Sequence, residues 1–235
     1  MQFLFLIGVE GSGHHMLRDV LRRFLSNAAV VDKGDYYPLL EQRWDVAEER
    51  LPFAVVRREM QRILEYYETQ GVTHVYEDTS FPFNRPRNAL RRPDIIDLYE
   101  MLQGLVDVKI LLLYRNPIST VYSVLRRGFS TNATVEARTA ENSHLYIERQ
   151  VMQLPRSAYR TVAFENFVSN HAAHLRALAH WWSIPWGTLA DGSSRIVGHC
   201  TPNQIPDDVK GFLSNYFDPL RLGQWEGFYQ SNPLI

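Results

Sequence analysis

The sequence predicts an α/β fold with three layers, in which a mainly parallel central sheet is flanked by helices. Short apolar runs alternate along the chain with amphipathic stretches of helical period, the pattern of successive strand and helix units. The run from Val108 to Tyr114 is continuously apolar after Lys109, as expected of a strand covered on both faces. In such sheets ligands bind beyond the carboxyl ends of the strands, so the residues that follow each strand are the most informative.

The first half of the chain contains three predicted strands and two predicted helices. Residues 3–7 form an apolar strand, and Leu17, Val20, Leu21 and Phe24 repeat at i, i+3, i+4 and i+7, as in an amphipathic helix. The elements expected next are a strand at 28–31, an irregular stretch at 32–52, a helix over about 56–67 that ends near Gly71, and a strand at 72–76.

Prolines mark the element boundaries of the second half. Pro82, Pro86 and Pro93 exclude a helix between residue 82 and about residue 94. Pro117, in contrast, suits the first turn of a helix. After the strand at 108–114, the expected elements are helices over 117–127 and about 139–152, a strand at 159–164 and a helix at 165–182.

The composition fits one domain over residues 1–235. With 45% hydrophobic residues the chain can bury a full core, and a net charge of −1 argues against nucleic acid as a partner. Cys200 is the single cysteine, which excludes an internal disulfide and favours a reducing, cytoplasmic location. No run approaches the roughly 20 apolar residues that span a bilayer, so no membrane partner is expected. The composition leaves the oligomeric state open.

The first predicted strand runs into a glycine-rich, P-loop-like turn. Gly8 and Gly13 have the spacing of a Walker A loop, but His14 and His15 stand where Lys-[Ser/Thr] should be. The lysine for a β/γ-phosphate and the hydroxyl for magnesium are therefore missing, while the backbone N–H groups and the helix N-terminus remain. This pattern favours binding a phosphate that is not transferred; the alternative is a glycine-rich turn without a ligand.

A second candidate phosphate motif follows the strand at 108–114. Arg115 comes directly after the apolar run, and Ser123 lies about two turns along the helix that Pro117 opens. In these positions, the guanidinium can donate two parallel hydrogen bonds to a phosphate, and the hydroxyl can donate a third from the other side. A solvated polar helix face is the alternative, but it does not account for an arginine that follows an apolar run at once.

Together these motifs resemble those of the PAPS-dependent sulfotransferase family, which uses 3′-phosphoadenosine 5′-phosphosulfate. Residues 11–15, Gly-Ser-Gly-His-His, match its phosphosulfate loop [Arg/Lys]-Ser-Gly-Thr-Thr, and 115–123 match its 3′-phosphate motif, Arg-[Asp/Asn]-Pro with a serine six residues on. Residues 76–80, Tyr-Glu-Asp-Thr-Ser, are similar to its Glu-Lys-[Ser/Thr]-Pro segment. Residues 162–167, with Trp181 and Trp182 closing the next helix, are similar to its Tyr-Glu-Asp-Leu stretch. The resemblance covers most of residues 1–185.

The resemblance implies transfer of a sulfuryl group from PAPS to a hydroxyl or amine of a small-molecule or carbohydrate acceptor, with PAP as product and no metal. The cofactor-binding residues it implies are Gly11, Ser12, Gly13, His14, His15, Met16, Arg115 and Ser123. Arg195 is a candidate for a second 3′-phosphate contact, although a solvent-exposed arginine is the preferred interpretation.

Three departures from the family pattern concern groups that assist the reaction. Gly11 replaces the basic residue beside the leaving oxygen, His14 and His15 replace both threonines, and Asp78 stands at the position of the second-motif lysine. A histidine between two anions could act as the missing acid, for which His14 is preferred over His15. Lys33 is the alternative cation.

The resemblance implies that the base that takes the acceptor proton lies near the end of the second strand or in the loops that follow. Asp35 is the first candidate and Asp32 the second, with Glu77 and His74 behind them, although an aspartate beside Gly34 can equally be a turn residue. The aromatic residues of this segment either line the acceptor pocket or belong to the core; they are Tyr36, Tyr37 and Trp44.

Two other functions compete with sulfuryl transfer. A P-loop nucleotide kinase-like phosphotransferase is disfavoured because Lys-[Ser/Thr] and a clear Walker B carboxylate are missing. A catalytically silent nucleotide-binding protein would keep the loops and lack the chemistry at Gly11.

Overall fold

The computed structural model describes residues 1–24, 30–32, 34–44, 50–81, 83–84, 90–91, 94–184 and 205–235. Its main sheet has five strands: β1 (Gln2–Val9), β2 (Val30–Asp32), β3 (His74–Phe81), β6 (Asp107–Tyr114) and β7 (Tyr159–Ala163). Their order is β2-β3-β1-β6-β7, and every neighbouring pair is parallel. A separate antiparallel pair consists of β4 (Phe83–Asn84) and β5 (Leu90–Arg91). The predicted parallel α/β sheet is confirmed, with β1 at its centre.

Helices connect the strands and follow the last of them. They are α1 (His14–Phe24), α2 (Tyr37–Trp44), α3 (Phe53–Thr69), α4 (Ile95–Leu102), α5 (Pro117–Arg126), α6 (Ala133–Val151), α7 (Phe164–Ser169), α8 (His171–Trp181), α9 (Asp207–Tyr216) and α10 (Pro219–Gln230). Local sequence sets several of the starts: the side chains of Asp94, Asn116 and Asn132 accept hydrogen bonds from first-turn N–H groups of α4, α5 and α6. None of the described helices is both long enough and apolar enough to cross a bilayer.

The sheet separates two apolar layers because successive side chains of a strand point to opposite faces. Odd-numbered residues of β1 and even-numbered residues of β6 pack with α2–α6, α9 and α10. The intervening residues of β1 and β6 pack with α1, α7 and α8. The three-layer arrangement predicted from the sequence is therefore present.

Several element predictions were wrong in their bounds. Residues 37–44 form α2 and not an irregular stretch; Pro38 is tolerated in its first turn, and Leu40 and Trp44 are buried one turn apart. The helix predicted at 165–182 is two helices, because Asn170 leaves helical geometry at φ −140° and ψ 51°. Strand β3 continues to Phe81, through polar residues that are nonetheless buried. The strand expected at 28–31 begins at Val30 in the described residues.

The chain's last residues lie along β7, at one edge of the sheet. Thr161 donates its N–H to Asn232 O at 3.0 Å and accepts from Leu234 N–H at 2.9 Å. The short parallel bridge between Thr161 and Pro233 extends the sheet by one partial strand.

Candidate active site

The turn between β1 and α1 has the backbone that its glycines predict. Gly11 and Gly13 lie at φ +93° and +97°, in the left-handed region that side chains rarely adopt. A Cβ at Gly11 would lie 2.5 Å from Thr120 O, and one at Gly13 would lie 2.5 Å from the Phe164 ring. Both conformation and crowding therefore disfavour a side chain at position 11, where the resembling family carries a basic residue.

The N–H groups of this turn divide into two sets. Ser12 N–H bonds to Val9 O at 2.8 Å and Met16 N–H bonds to Gly13 O at 3.0 Å, so both serve the turn itself. The N–H groups at the start of α1 are those that a helix leaves without intrahelical partners, and they carry the positive end of its dipole. Of the predicted cofactor contacts, Ser12 and Met16 therefore have their N–H groups engaged within the loop.

Arg115 joins the β6 end to the β1 loop. Its side chain is 7% exposed, its Nη1 donates to Gly11 O at 3.1 Å, and its guanidinium lies 4.4 Å above the ring of Phe164. Ser123 is also buried, two turns along α5. The structure thus brings the two predicted phosphate motifs together at the carboxyl ends of the neighbouring strands β1 and β6. Phe164 was not predicted as a site residue, although it directly follows β7 and satisfies the same positional rule as Arg115.

His14 is buried at the start of α1, with 1% of its surface exposed. Its Nδ1 lies 3.4 Å from Ser12 Oγ, and its ring lies 4.1 Å from that of His15. Burial, assisted by the neighbouring His15, lowers the pKa of His14 to about 3, against the opposing charges of Glu10 and Asp78. The imidazole is therefore neutral near pH 7, and the acid role of His14 stays a prediction that requires a bound anion to raise its pKa.

His15 forms a small charged cluster with Arg18 of the same helix and Asp78 of β3. Its Nδ1 is 2.9 Å from Arg18 Nη1 and 3.3 Å from Asp78 Oδ2, and Arg18 Nη1 is itself 3.3 Å from Asp78 Oδ2. Asp78 is almost completely buried. The position of the family's lysine thus carries an acid here, and the accompanying cation comes from another element, α1.

Glu10 and Arg127 form an ion pair at 2.8 Å that connects the loop to the end of α5. Burial raises the pKa of Glu10, but His14, a hydrogen bond from Ser80 and Arg127 together lower it below its usual value. Arg127 Nε also donates to Ser123 O at 3.2 Å. No local sequence pattern predicts this ion pair, because its two members are 117 residues apart.

The candidate base residues follow a strand that ends early. Asp32 closes β2 opposite Tyr76, whereas the phosphate loop begins after Val9, which lies opposite Phe81. Five strand residues separate these levels, a distance of about 16 Å along the sheet. The structure describes the backbone of Asp32, and Lys33 and Arg195 lie outside the described residues.

Asp35 lies in the turn that follows β2. It is exposed, its N–H donates to Tyr67 Oη at 2.8 Å, and Tyr67 Oη lies 3.4 Å from its Oδ2. The next residue, Tyr36, donates its hydroxyl to Tyr76 O at 2.8 Å, which holds the turn at the level of Tyr76. These contacts fix the turn beside Tyr67 and Tyr76, and the role of Asp35 as the base stays a prediction.

The remaining candidates of the sequence are mostly structural. Tyr36 and Trp44 are core residues, the second of the two alternatives for this segment. His74 lies at the amino end of β3, away from the loop, where its Nε2 is 3.0 Å from Trp182 O. Glu77 is completely buried within the same strand.

Three solved structures with a similar arrangement are a sulfotransferase and two sulfotransferase domains. A sulfotransferase from Alicyclobacillus acidocaldarius matches at a TM-score of 0.59 and 13% identity, over 97% of this chain and 95% of the other. The sulfotransferase domain of the curacin biosynthetic pathway matches at 0.55 and 12%, over 98% of each chain. That of the Synechococcus PCC 7002 olefin synthase matches at 0.51 and 15%, over 99% and 95%.

The chain therefore has the sulfotransferase fold over nearly its full length, as its motifs predict. At identities of 12–15% this likeness is one of fold. No family model and no curated protein sequence matches the chain.

Proposed function

We propose that this protein transfers the sulfuryl group of PAPS to a hydroxyl or amine of a small-molecule or carbohydrate acceptor. The observation that carries the proposal is the contact between Arg115 Nη1 and Gly11 O at 3.1 Å. It places the guanidinium of one phosphate motif against the backbone of the other. A nucleotide with phosphates at both its 3′ and 5′ positions has the two anionic groups that such a pair of motifs would hold.

The β1 loop would hold the 5′-phosphosulfate by its backbone. The start of α1 supplies N–H donors and dipole, an arrangement that binds an anion without requiring a lysine. Phosphate transfer from a nucleoside triphosphate would need the missing lysine and the missing magnesium ligand. The loop therefore favours sulfuryl transfer over a kinase-like reaction.

Transfer also needs stabilisation of the leaving oxygen and a base for the acceptor proton. His14 and His15 both lie at the start of α1; His14 stays the preferred group for contact with the leaving oxygen, with His15 and Lys33 as the alternatives. For the base, Asp35 and Asp32 stay the predicted candidates, although β2 ends below the level of the loop.

Calorimetric titration with PAP, and separately with ATP and magnesium, tests this proposal. We expect PAP to bind and to raise the melting temperature, since a ligand selective for the folded state must stabilise it. Preference for magnesium ATP over PAP would contradict the proposal. The protein is then incubated with labelled PAPS and a metabolite extract: sulfated product supports transfer, whereas PAP binding without product indicates a silent nucleotide-binding protein.

A further inference from the structure

Glu10, His14 and His15 bring three potential metal ligands together on the phosphate loop. One ligand atom of each residue lies within 4.8 Å of those of the other two, the one such group of three or more in the described part of the chain. Two imidazoles and a carboxylate are the donor set that zinc and related divalent ions use where an open coordination position is kept.

The buried nitrogen of His14 independently points to a ligand. His14 Nε2 is inaccessible to solvent and has no hydrogen-bond partner among the described residues. Its other nitrogen, Nδ1, lies toward Ser12 Oγ, and a proton held there leaves the lone pair of Nε2 available. A buried polar atom without a partner is costly, and a coordinated cation would satisfy it.

The outer contacts of the cluster suit metal ligands. Asp78 Oδ2 lies 3.3 Å from His15 Nδ1, the carboxylate and imidazole pairing that orients a metal-binding histidine through its other nitrogen. Arg18 Nη1 donates to His15 Nδ1 at 2.9 Å in this arrangement, so metal binding through Nε2 requires the proton to move to Nδ1, where Asp78 accepts it. Arg18 then keeps Asp78 and Asp19 as partners. Arg127 occupies Oε1 of Glu10 and orients that carboxylate.

We propose that Glu10, His14 and His15 form a binding site for one divalent metal ion of the zinc class. The side chain of His15 is 44% exposed, which gives an ion access to the cluster. The role of the ion rests on the proposed function: it places positive charge at the loop where Gly11 replaces a basic residue. Metal binding itself does not rest on that function, and it departs from the metal-free expectation drawn from the family resemblance.

Titration with Co²⁺ tests the site on the full chain after treatment with a chelator. We expect visible absorption bands that saturate at one equivalent and are abolished by Zn²⁺. Glu10→Gln and His15→Ala should each weaken Co²⁺ binding at least about tenfold, since even outer-shell changes cost 10–100-fold. His180→Ala, an exposed histidine of α8, is the matched control and should bind as the wild type does.

Saturation at one equivalent that is weakened only by the loop variants supports the site. Weak or superstoichiometric binding by the wild type, or equal binding by all variants, would overturn it. Melting temperatures of the variants confirm that they are folded. Titration of the chelated wild type with PAP examines the proposed function separately, so that either idea can fail while the other stands.

Discussion

The carboxyl ends of β1 and β6 lie side by side, but they match the motifs of the sulfotransferase family to different extents. The β6 end carries Arg115 and Ser123, both of which the family resemblance predicts, in buried positions. The β1 end has the glycine backbone of the family loop, but imidazoles stand where the family has threonines, and a side chain at position 11 would meet Thr120 O. On the proposed function, the β6 end is assigned to nucleotide positioning, and the departures from the family pattern lie at the β1 end, which is assigned to assisting the reaction.

The largest effect is expected at the β1 end. His14→Ala should lower turnover by about 10²–10⁴-fold, the range for losing a group that assists proton transfer or charge development, while PAP affinity changes much less. Steady-state kinetics and calorimetry measure the two quantities. Turnover with and without a chelator distinguishes the imidazole itself from an ion that it holds.

Normal turnover in a folded His14→Ala variant would move the role to His15 or Lys33. An equal loss of turnover and of PAP affinity would mean that binding and chemistry are not divided between the two strand ends.

A side chain at position 11 should destabilise the fold. Gly11→Ala meets backbone strain at φ +93° and a contact with Thr120 O, each worth about 1–3 kcal/mol. Gly104→Ala is the matched control, since Gly104 has φ +80° and no neighbouring atom within 4 Å of an added Cβ. Denaturant unfolding of both variants separates the clash from the strain. Equal losses would show that Thr120 yields and that the loop could accept a basic residue.

The β6 end should act on binding alone. Arg115→Ala should weaken PAP binding by about 1.5–3 kcal/mol, the cost of losing a hydrogen bond to a charged group, and Ser123→Ala should cost less. The ligand for comparison is adenosine 5′-phosphosulfate, which lacks the 3′-phosphate. Calorimetry should show little effect of either variant on this ligand, and an equal loss for both ligands would place Arg115 elsewhere in the site.

The parts that the sequence predicted are those in which neighbours along the chain define the geometry. The β1 loop and the β6 motif follow from a strand, a turn and a helix in direct succession, so spacing alone locates Gly13 and Arg115. The contacts of Arg127 with Glu10 and of Arg18 with Asp78 were not predictable, because each joins distant segments whose approach depends on strand order.

The candidate base Asp35 also shows that sequence spacing does not reveal how strands are aligned in the sheet. Its place after a predicted strand made it a candidate base, but the register of β2 was invisible in the sequence. That strand ends opposite Tyr76, five residues before the end of β3. The rule that ligands gather at strand ends locates a residue only when the strands end at the same level.

Residues 232–234, which lie along β7, affect how much of this sheet edge is open to another strand. An edge strand with unpaired N–H and C=O groups is a template on which another molecule can add a strand. Here Asn232 and Leu234 occupy the backbone groups of Thr161, and Pro233, which has no N–H, is a poor partner for any further strand. Residues 232–234 thus cover the middle of this edge strand, and another strand would have to displace them before it could pair with Thr161.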